Sequence, residues 1–321
     1  MFMNTSRRQF FSTSVAAAGA ATVGASFSTA PAPGQVTVPQ RSFGNSFRYC
    51  LNTSTIRGQN LGIEAEIQIA AQAGYDGIEP WIGSLRKYAE DGGSLTDLGK
   101  RIADAGLTVD SAIGFARWIV DDEEQRLAGL AEARRDMEML QQIGGLRIAA
   151  PPSGATNGKK LDLLVIAERY RTLLEIGDEC GVVPQLEVWG FSTNLSRLGE
   201  SVCATIETGH PKACLLPDVY HIFKGGSSFE GLSLLSDTAV HVFHVNDYPA
   251  EPSREEMKDS HRVFPGDGIA PLSQILSMVG GNGRSVTLSL ELFNPDYWQQ
   301  DALEVARAGL TKMKSAVAAA G

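Results

Sequence analysis

Residues 62–80 read GIEAEIQIAAQAGYDGIEP, and the architecture follows from this stretch. Ile63, Ile67 and the Ala70–Ala71 pair recur at helical spacing, which predicts an amphipathic helix over 62–73 with one apolar stripe. Ala73-Gly74-Tyr75-Asp76 then turns the chain out of the helix, because glycine adopts the left-handed conformation that ends helices at little steric cost. A short apolar strand follows at 76–80 (DGIEP). Helix, glycine turn and strand make one αβ unit.

The unit recurs along the chain. Strands are expected at 47–53, 76–80, 107–113, 146–151, 183–189, 213–218, 240–246 and 286–291, each a short apolar or β-branched run. A second helix is expected over 122–143, with Leu127, Leu130, Ala131, Met137 and Leu140 as its apolar stripe. Eight strands alternating with helices predict an α/β fold, a single (β/α)8 TIM barrel over residues 45–318. A doubly wound sheet lacks support, since no Gly-x-Gly-x-x-Gly follows an early strand.

The composition is that of an ordinary globular protein: 321 residues, 43% hydrophobic and 20% charged. Asp and Glu outnumber Lys and Arg by 37 to 28, a net charge of −9 that repels phosphate backbones and anionic lipid. Nucleic acid is therefore not an expected partner. Cys50, Cys180, Cys203 and Cys214 are widely spaced, with no zinc-ligand pattern, and read as small buried side chains. A Cys203–Cys214 bridge stays open. At the N-terminus, Ser6-Arg7-Arg8-Gln9-Phe10-Phe11 precedes an uncharged, Ala-rich run to Ala30. This resembles a twin-arginine export signal, with 1–32 as the signal peptide, 33–44 as a linker and the periplasm as destination. The run is too weakly hydrophobic to serve as a stable membrane anchor.

Barrel chemistry collects at the C-terminal ends of strands. Glu187, Asp218, His244 and Glu291 stand there on the fifth to eighth expected strands, where an unpaired charge after an apolar run would be costly. Three carboxylates and one imidazole form a hard, oxygen-rich set suited to one divalent ion: Mn, Co, Mg or Zn. Trp81, Trp118 and Trp189 follow the second, third and fifth strands and offer apolar faces to a sugar ring. Lys224 stands where it could seat an anion, but the loop after Glu291 lacks the Gly-rich form of barrel phosphate sites. Gly280–Gly283 reads as a turn, His210 as structural and His241 as core or supporting. Asp247 is a candidate to orient a ligand histidine or to bind Arg262.

Taken together, Gly74-Tyr-Asp-Gly-Ile-Glu79, Leu186-Glu187, Asp218-Val-Tyr-His221, His244-Val-Asn-Asp247, Arg262-Val-Phe-Pro-Gly-Asp-Gly268 and Ser289-Leu-Glu291 resemble the xylose isomerase-like barrels, the sugar isomerase and epimerase superfamily. The resemblance implies that Glu187, Asp218, His244 and Glu291 bind one metal ion and that His221 and Arg262 contact substrate. A metal-polarised carbonyl would acidify the neighbouring proton, and Glu187 and Glu291, on opposite sides of the bound carbon, would remove and return it. Trp81 and Trp189 would line the substrate pocket. Two departures stand out: Thr193 occupies the place of a second glutamate found in ketose 3-epimerases, and the stretch from Tyr248 to His261 is long. The expected activity is isomerisation or epimerisation of a non-phosphorylated sugar or keto-sugar, with a small carbohydrate as the partner. The alternative is a lyase or dehydratase acting on a keto-glycoside or inosose by β-elimination. DNA-repair endonucleases share this barrel, but they need several metals and a basic groove, against five histidines and a net charge of −9 here. A homo-oligomer stays open.

Overall fold

The computed structural model describes residues 47–280 and 285–321. The expected signal peptide and linker lie outside the described residues, as does most of the 280–283 turn. Among the described residues there are seven parallel strands: β1 (Phe47–Asn52), β2 (Gly77–Glu79), β3 (Arg147–Ala150), β4 (Val183–Glu187), β5 (Leu215–Leu216), β6 (Val242–Val245) and β7 (Val286–Leu290). They form two runs, ordered β2-β1-β7-β6 and β3-β4-β5. Single bridges close the ring. Leu215 pairs with Val240 and Asp218 with His244 on one side, Thr108 with Gly77 and Ile113 with Trp81 on the other. Main-chain bonds between Ala112 and both Arg147 and Ala149 carry the second side on to β3. The molecule is thus a TIM barrel, with segment 107–113 as its eighth wall element.

That segment was expected to be a continuous strand, but it pairs only near its ends. Thr108 Oγ1 donates to Asp110 at 2.7 Å, a local bond that competes with regular pairing. The approach to β2 is also close, since a Cβ on Gly77 would stand 2.5 Å from Asp110 Oδ2. The expected strand 213–218 shrinks to two residues because Pro217 has no N–H to give.

Around the ring run α1 (Ile63–Ala73), α2 (Ile82–Glu90), α3 (Leu95–Asp104), α4 (Glu123–Gln142), α5 (Leu163–Cys180), α6 (Leu198–Glu207), α7 (Val219–Lys224), α8 (Leu272–Gly280) and α9 (Ala302–Ala320). Helix α1 buries Ile63, Ile67 and Ala70 and ends on Gly74 at φ 89°. Helix α4 starts at an Asp122 cap that accepts from Gln125 N; Met137 and Leu140 of the expected stripe are buried, but the first half of the stripe is rotated. Leu127 is 59% exposed, whereas Gly129, Ala133, Met137 and Leu140 are buried. Gly129 lies directly on the Arg117 backbone, a contact no larger residue could make. No described helix is long and apolar enough to cross a membrane. All four thiols are free. His210 pairs with Asp178 at 3.2 Å, a surface role in keeping with its structural reading.

Strand residues two apart share a face. Leu51, Ile78, Leu186, Phe243, Val245, Leu288 and Leu290 pack in the main core. Alternate positions turn into the barrel. There Ile113, Ala149, Leu216 and Val242 form a small apolar layer. Asp218 and His244 stand two residues beyond Leu216 and Val242, and Asn52, Glu79, Ser289 and Glu291 are the buried polar residues of β1, β2 and the end of β7.

One buried carboxyl lies apart from this interior. Glu66 on α1 is 5% exposed and its Oε2 has no hydrogen-bond partner. Burial pushes its pKa up to about 7, with Arg57 pulling back only in part. The folded state thus holds this proton more tightly than the unfolded chain, so stability falls as pH rises from about 4.5 to about 7. Glu66→Gln is expected to raise Tm at pH 8, by about 2 kcal/mol in stability, and to leave it unchanged at pH 4. An equal shift at both pH values would exclude the buried charge as the cause.

Candidate functional site

The four expected ligands all sit at the C-terminal end of the barrel wall. Glu187 ends β4, Asp218 follows β5 after Pro217, His244 lies within β6 and Glu291 directly follows β7. Asp218 also caps α7, its Oδ1 accepting from His221 N at 2.7 Å. Asp218, His244 and Glu291 each present one ligand atom, and these atoms lie within 4.8 Å of one another. Glu187 lines the same cavity, but its oxygens are not among that set.

The His244 ring shows what the cluster lacks. Its Nε2 lies 3.0 Å from Glu79 Oε2. Its Nδ1 faces Glu291 Oε2 at 3.3 Å and Asp218 Oδ2 at 3.9 Å, is buried, and makes no hydrogen bond. Burial alone would strip a proton from this ring, but the Glu291 and Glu79 charges outweigh it and raise the pKa well above the ordinary imidazole value. A field that favours a proton at Nδ1 also favours a divalent cation beside it. One imidazole and two carboxylates, dry and convergent, fit such an ion.

Arg262 crosses the same floor, only 1% exposed. Its Nη1 donates to Asp218 Oδ2 at 3.1 Å and Glu291 Oε2 at 2.8 Å. Its Nη2 donates to Asp259 and to His221 Nε2, the latter at 3.0 Å. A guanidinium can only donate, so His221 Nε2 accepts and the neutral ring carries its proton on Nδ1. Burial and then the Arg262 charge keep the His221 pKa below the ordinary value. His221 Nδ1 and Arg262 Nε are both buried without partners. The two residues are among those that line the cavity.

The carboxylates at the two sides are poised in opposite directions. Burial pushes Glu187 up to about 8, against the pull of His244 and with the push of Glu291. Burial acts on Glu291 too, yet His244 and Arg262 hold it well below the usual carboxylate range.

The cavity holds about 220 Å³ and is walled by rings. Trp81 lies 5.1 Å from Phe115 and 6.1 Å from Phe293, and Trp189 lies 5.2 Å from Phe191. Phe115 and Phe191 are 41% and 47% exposed at the mouth. Trp81 and Trp189 are where the sequence places them. Trp118 is not: it is buried in the core, donates to Pro151 O at 2.9 Å and packs on Tyr170. Phe115, Phe191, Phe293, Asn52 and Asp259 were not singled out. The three phenylalanines lie two residues beyond Ile113, Trp189 and Glu291, so extending the strand alternation past each strand end would have found them.

Two further expectations are corrected. Lys224 seats no anion, because its Nζ donates to the carbonyls of Arg254, Glu255 and Met257 at 2.8–2.9 Å. Asp247 neither orients His244 nor binds Arg262. It accepts backbone N–H groups from Tyr248, Gly266, Gly268 and Ala270, bracing the loop that delivers Arg262.

Comparison with known proteins finds relatives with the same barrel fold. An inosose isomerase of Bacillus velezensis is 24% identical over 272 residues, covering 81% of this chain and 93% of that protein. A 3-dehydroshikimate dehydratase of Pseudomonas aeruginosa is 25% identical over 241 residues, covering 72% of this chain and 36% of that protein. Among solved structures, the IolI protein with a bound zinc atom matches with a TM-score of 0.78 at 23% identity, covering 84% of this chain and 98% of that one. Residues 67–316 match the family described as xylose isomerase-like TIM barrel, and the chain belongs to that family.

Proposed function

We propose that this protein is a divalent-metal-dependent isomerase or epimerase that moves a proton next to the carbonyl of a non-phosphorylated sugar or keto-sugar. The observation that carries the reading is the buried His244 Nδ1, without a hydrogen bond and facing Asp218 and Glu291, where Glu291 lines one cavity together with Glu187, His221 and Arg262. When bound by Asp218, His244 and Glu291, a divalent ion (Mn, Co, Mg or Zn) supplies Lewis-acid polarisation of a carbonyl. The zinc of the solved IolI protein supports a metal here.

Glu187 is the carboxylate left free to move a proton. Glu291 is held by Arg262 and by Asn52, whose Nδ2 donates to Oε1 at 3.2 Å, whereas Glu187 faces the cavity with a raised pKa. Glu187 takes the proton from the carbon beside the carbonyl, and the electron pair moves onto the carbonyl oxygen. His221 Nδ1–H and Arg262 Nε–H donate to substrate oxygens and stabilise the charge that develops there. Return of the proton by Glu187 to the neighbouring carbon on the same face gives an isomer. An epimer needs a proton delivered to the opposite face of the same carbon by a second group, for which Glu291 is the other strand-end carboxylate lining the cavity. Incubation with keto-sugars in D₂O tests this first step: deuterium should enter the substrate carbon only with metal present, and its absence across metal-loaded assays would refute the reading.

A second reading is favoured by the aromatic wall. Five rings exceed what one sugar ring covers, and two of them are half-exposed at the mouth. A keto-glycoside carrying an apolar aglycone would use them, and the abstracted proton would then be followed by loss of the β-oxygen with its electron pair. The dehydratase relatives support that outcome. Product analysis in the same D₂O experiment separates the two.

Export through the twin-arginine route would place this work in the periplasm, where phosphorylated sugars are scarce. The committed Lys224, the apolar wall and the net charge of −9 all disfavour a phosphate dianion. The unphosphorylated compound is expected to exceed its phosphate ester at least tenfold in kcat/KM, and the reverse order would contradict the substrate class.

A further inference from the structure

The Gly74–Glu79 motif ends in a fully buried carboxylate that the reaction above does not use. Glu79 stands on β2, yet it reaches His244 on β6, across the whole β2-β1-β7-β6 run. We propose that Glu79 is a positioning residue that fixes His244 as an Nδ1 metal ligand. The proposal rests on the metal reading given above.

Two donors, Ser289 Oγ at 2.6 Å and Asn52 Nδ2 at 3.0 Å, meet the His244 Nε2 atom, also at 3.0 Å, on Glu79 Oε2. Each is set by sheet register, since Asn52 pairs with Glu79 and His244 with Ser289 on neighbouring strands. The Asn52 amide cannot be turned around. Its Oδ1 accepts from Ser54 N at 2.9 Å and Trp81 Nε1 at 3.2 Å, both of which are donors, so Nδ2 must face the carboxylates. An oxygen that accepts from both Ser289 and Asn52 acts as an acceptor toward the ring as well, and in the neutral imidazole it draws the His244 proton to Nε2. The lone pair of that neutral ring is then on Nδ1, facing Asp218 and Glu291. Without Glu79, a neutral imidazole would also sample the other tautomer, with an N–H pointing into the cluster and blocking a cation.

A carboxylate behind a ligand histidine locks ring orientation and raises its basicity, and losing one typically costs 10–100-fold in metal affinity. A buried charge kept only for structure behaves differently. Its removal would change the stability of the metal-free protein and leave metal affinity alone. The same network joins Glu79 through Asn52 to Trp81, so the ligand and the first aromatic wall residue share one anchor.

The test is metal affinity of the full barrel, measured by chelator competition for Zn(II) and Co(II), together with the visible spectrum of the Co(II) protein and the metal-free Tm. Glu79→Gln keeps the shape and removes the charge. Expected are a 10–100-fold weaker Kd, an altered Co(II) spectrum and a metal-free Tm no lower than wild type. A Kd within twofold of wild type with an unchanged spectrum would overturn the proposal, and so would a fall in metal-free Tm as the sole effect. Should Glu79→Gln fail to fold, Ser289→Ala carries the test. It deletes the 2.6 Å support of Glu79 and should weaken the Kd several-fold, whereas unchanged affinity would count against the proposal. Failure of the wild-type protein to bind either ion would overturn the metal reading itself, an outcome distinct from equal binding by wild type and variant.

Discussion

Glu291→Gln is expected to empty the metal centre and end turnover. Glu291 shares the three-residue cluster with Asp218 and His244, and its Oε2 is also the closer acceptor for Arg262 Nη1. Glutamine keeps the volume and one acceptor oxygen but removes the charge that a cation needs. It also leaves Arg262 with one fewer buried counter-ion. Breaking a buried charge interaction by removing one partner costs about 3–5 kcal/mol. Carried into metal affinity, that is about 10²-fold to 4 × 10³-fold, since each 1.4 kcal/mol is a factor of ten. Metal content after dialysis and kcat/KM, measured on the same preparation, check this. Wild-type metal content together with wild-type activity would remove Glu291 from the site.

Glu187→Gln is expected to behave differently, and the contrast tests the division of labour between the two carboxylates. Glu187 faces the cavity but lies outside the ligand cluster. Losing a positioned general base typically costs 10²–10⁴-fold. Turnover and deuterium uptake should fall by that factor while most of the metal stays bound. Loss of metal in parallel with activity would instead make Glu187 a fourth ligand, as the family resemblance implies. Full activity in Glu187→Gln would require another base.

The ligand positions were legible because strands carry their own ruler. Asp218, His244 and Glu291 each close or end an apolar run, and the two-residue alternation that puts Leu216 and Val242 in the barrel interior puts Asp218 and His244 above them. Helix α1 and its glycine stop were legible for the same reason, since periodicity and a left-handed turn are local properties. The buried face of α4 was legible in its second half, where Met137 and Leu140 are buried as expected, but not in its first, where Gly129 meets the Arg117 backbone and Leu127 is left exposed. Trp118 and Trp189 both follow strands in sequence, and only packing sends one to the core and the other to the cavity.

The partners of the polar groups were still less visible. Asp247, close to His244 in sequence, braces a loop, whereas Glu79, 165 residues away, holds the ring. Arg262 reaches Asp218, His221 and Glu291 only because the ring closes and folds its long loop over the strand ends. The sequence by itself determined which residues sit at strand ends and face inward, because alternation and helix periodicity depend on near neighbours. Tertiary structure alone decided which of them meet, which tautomer each histidine holds and which carboxylate stays free, because those depend on charges brought together across a closed barrel.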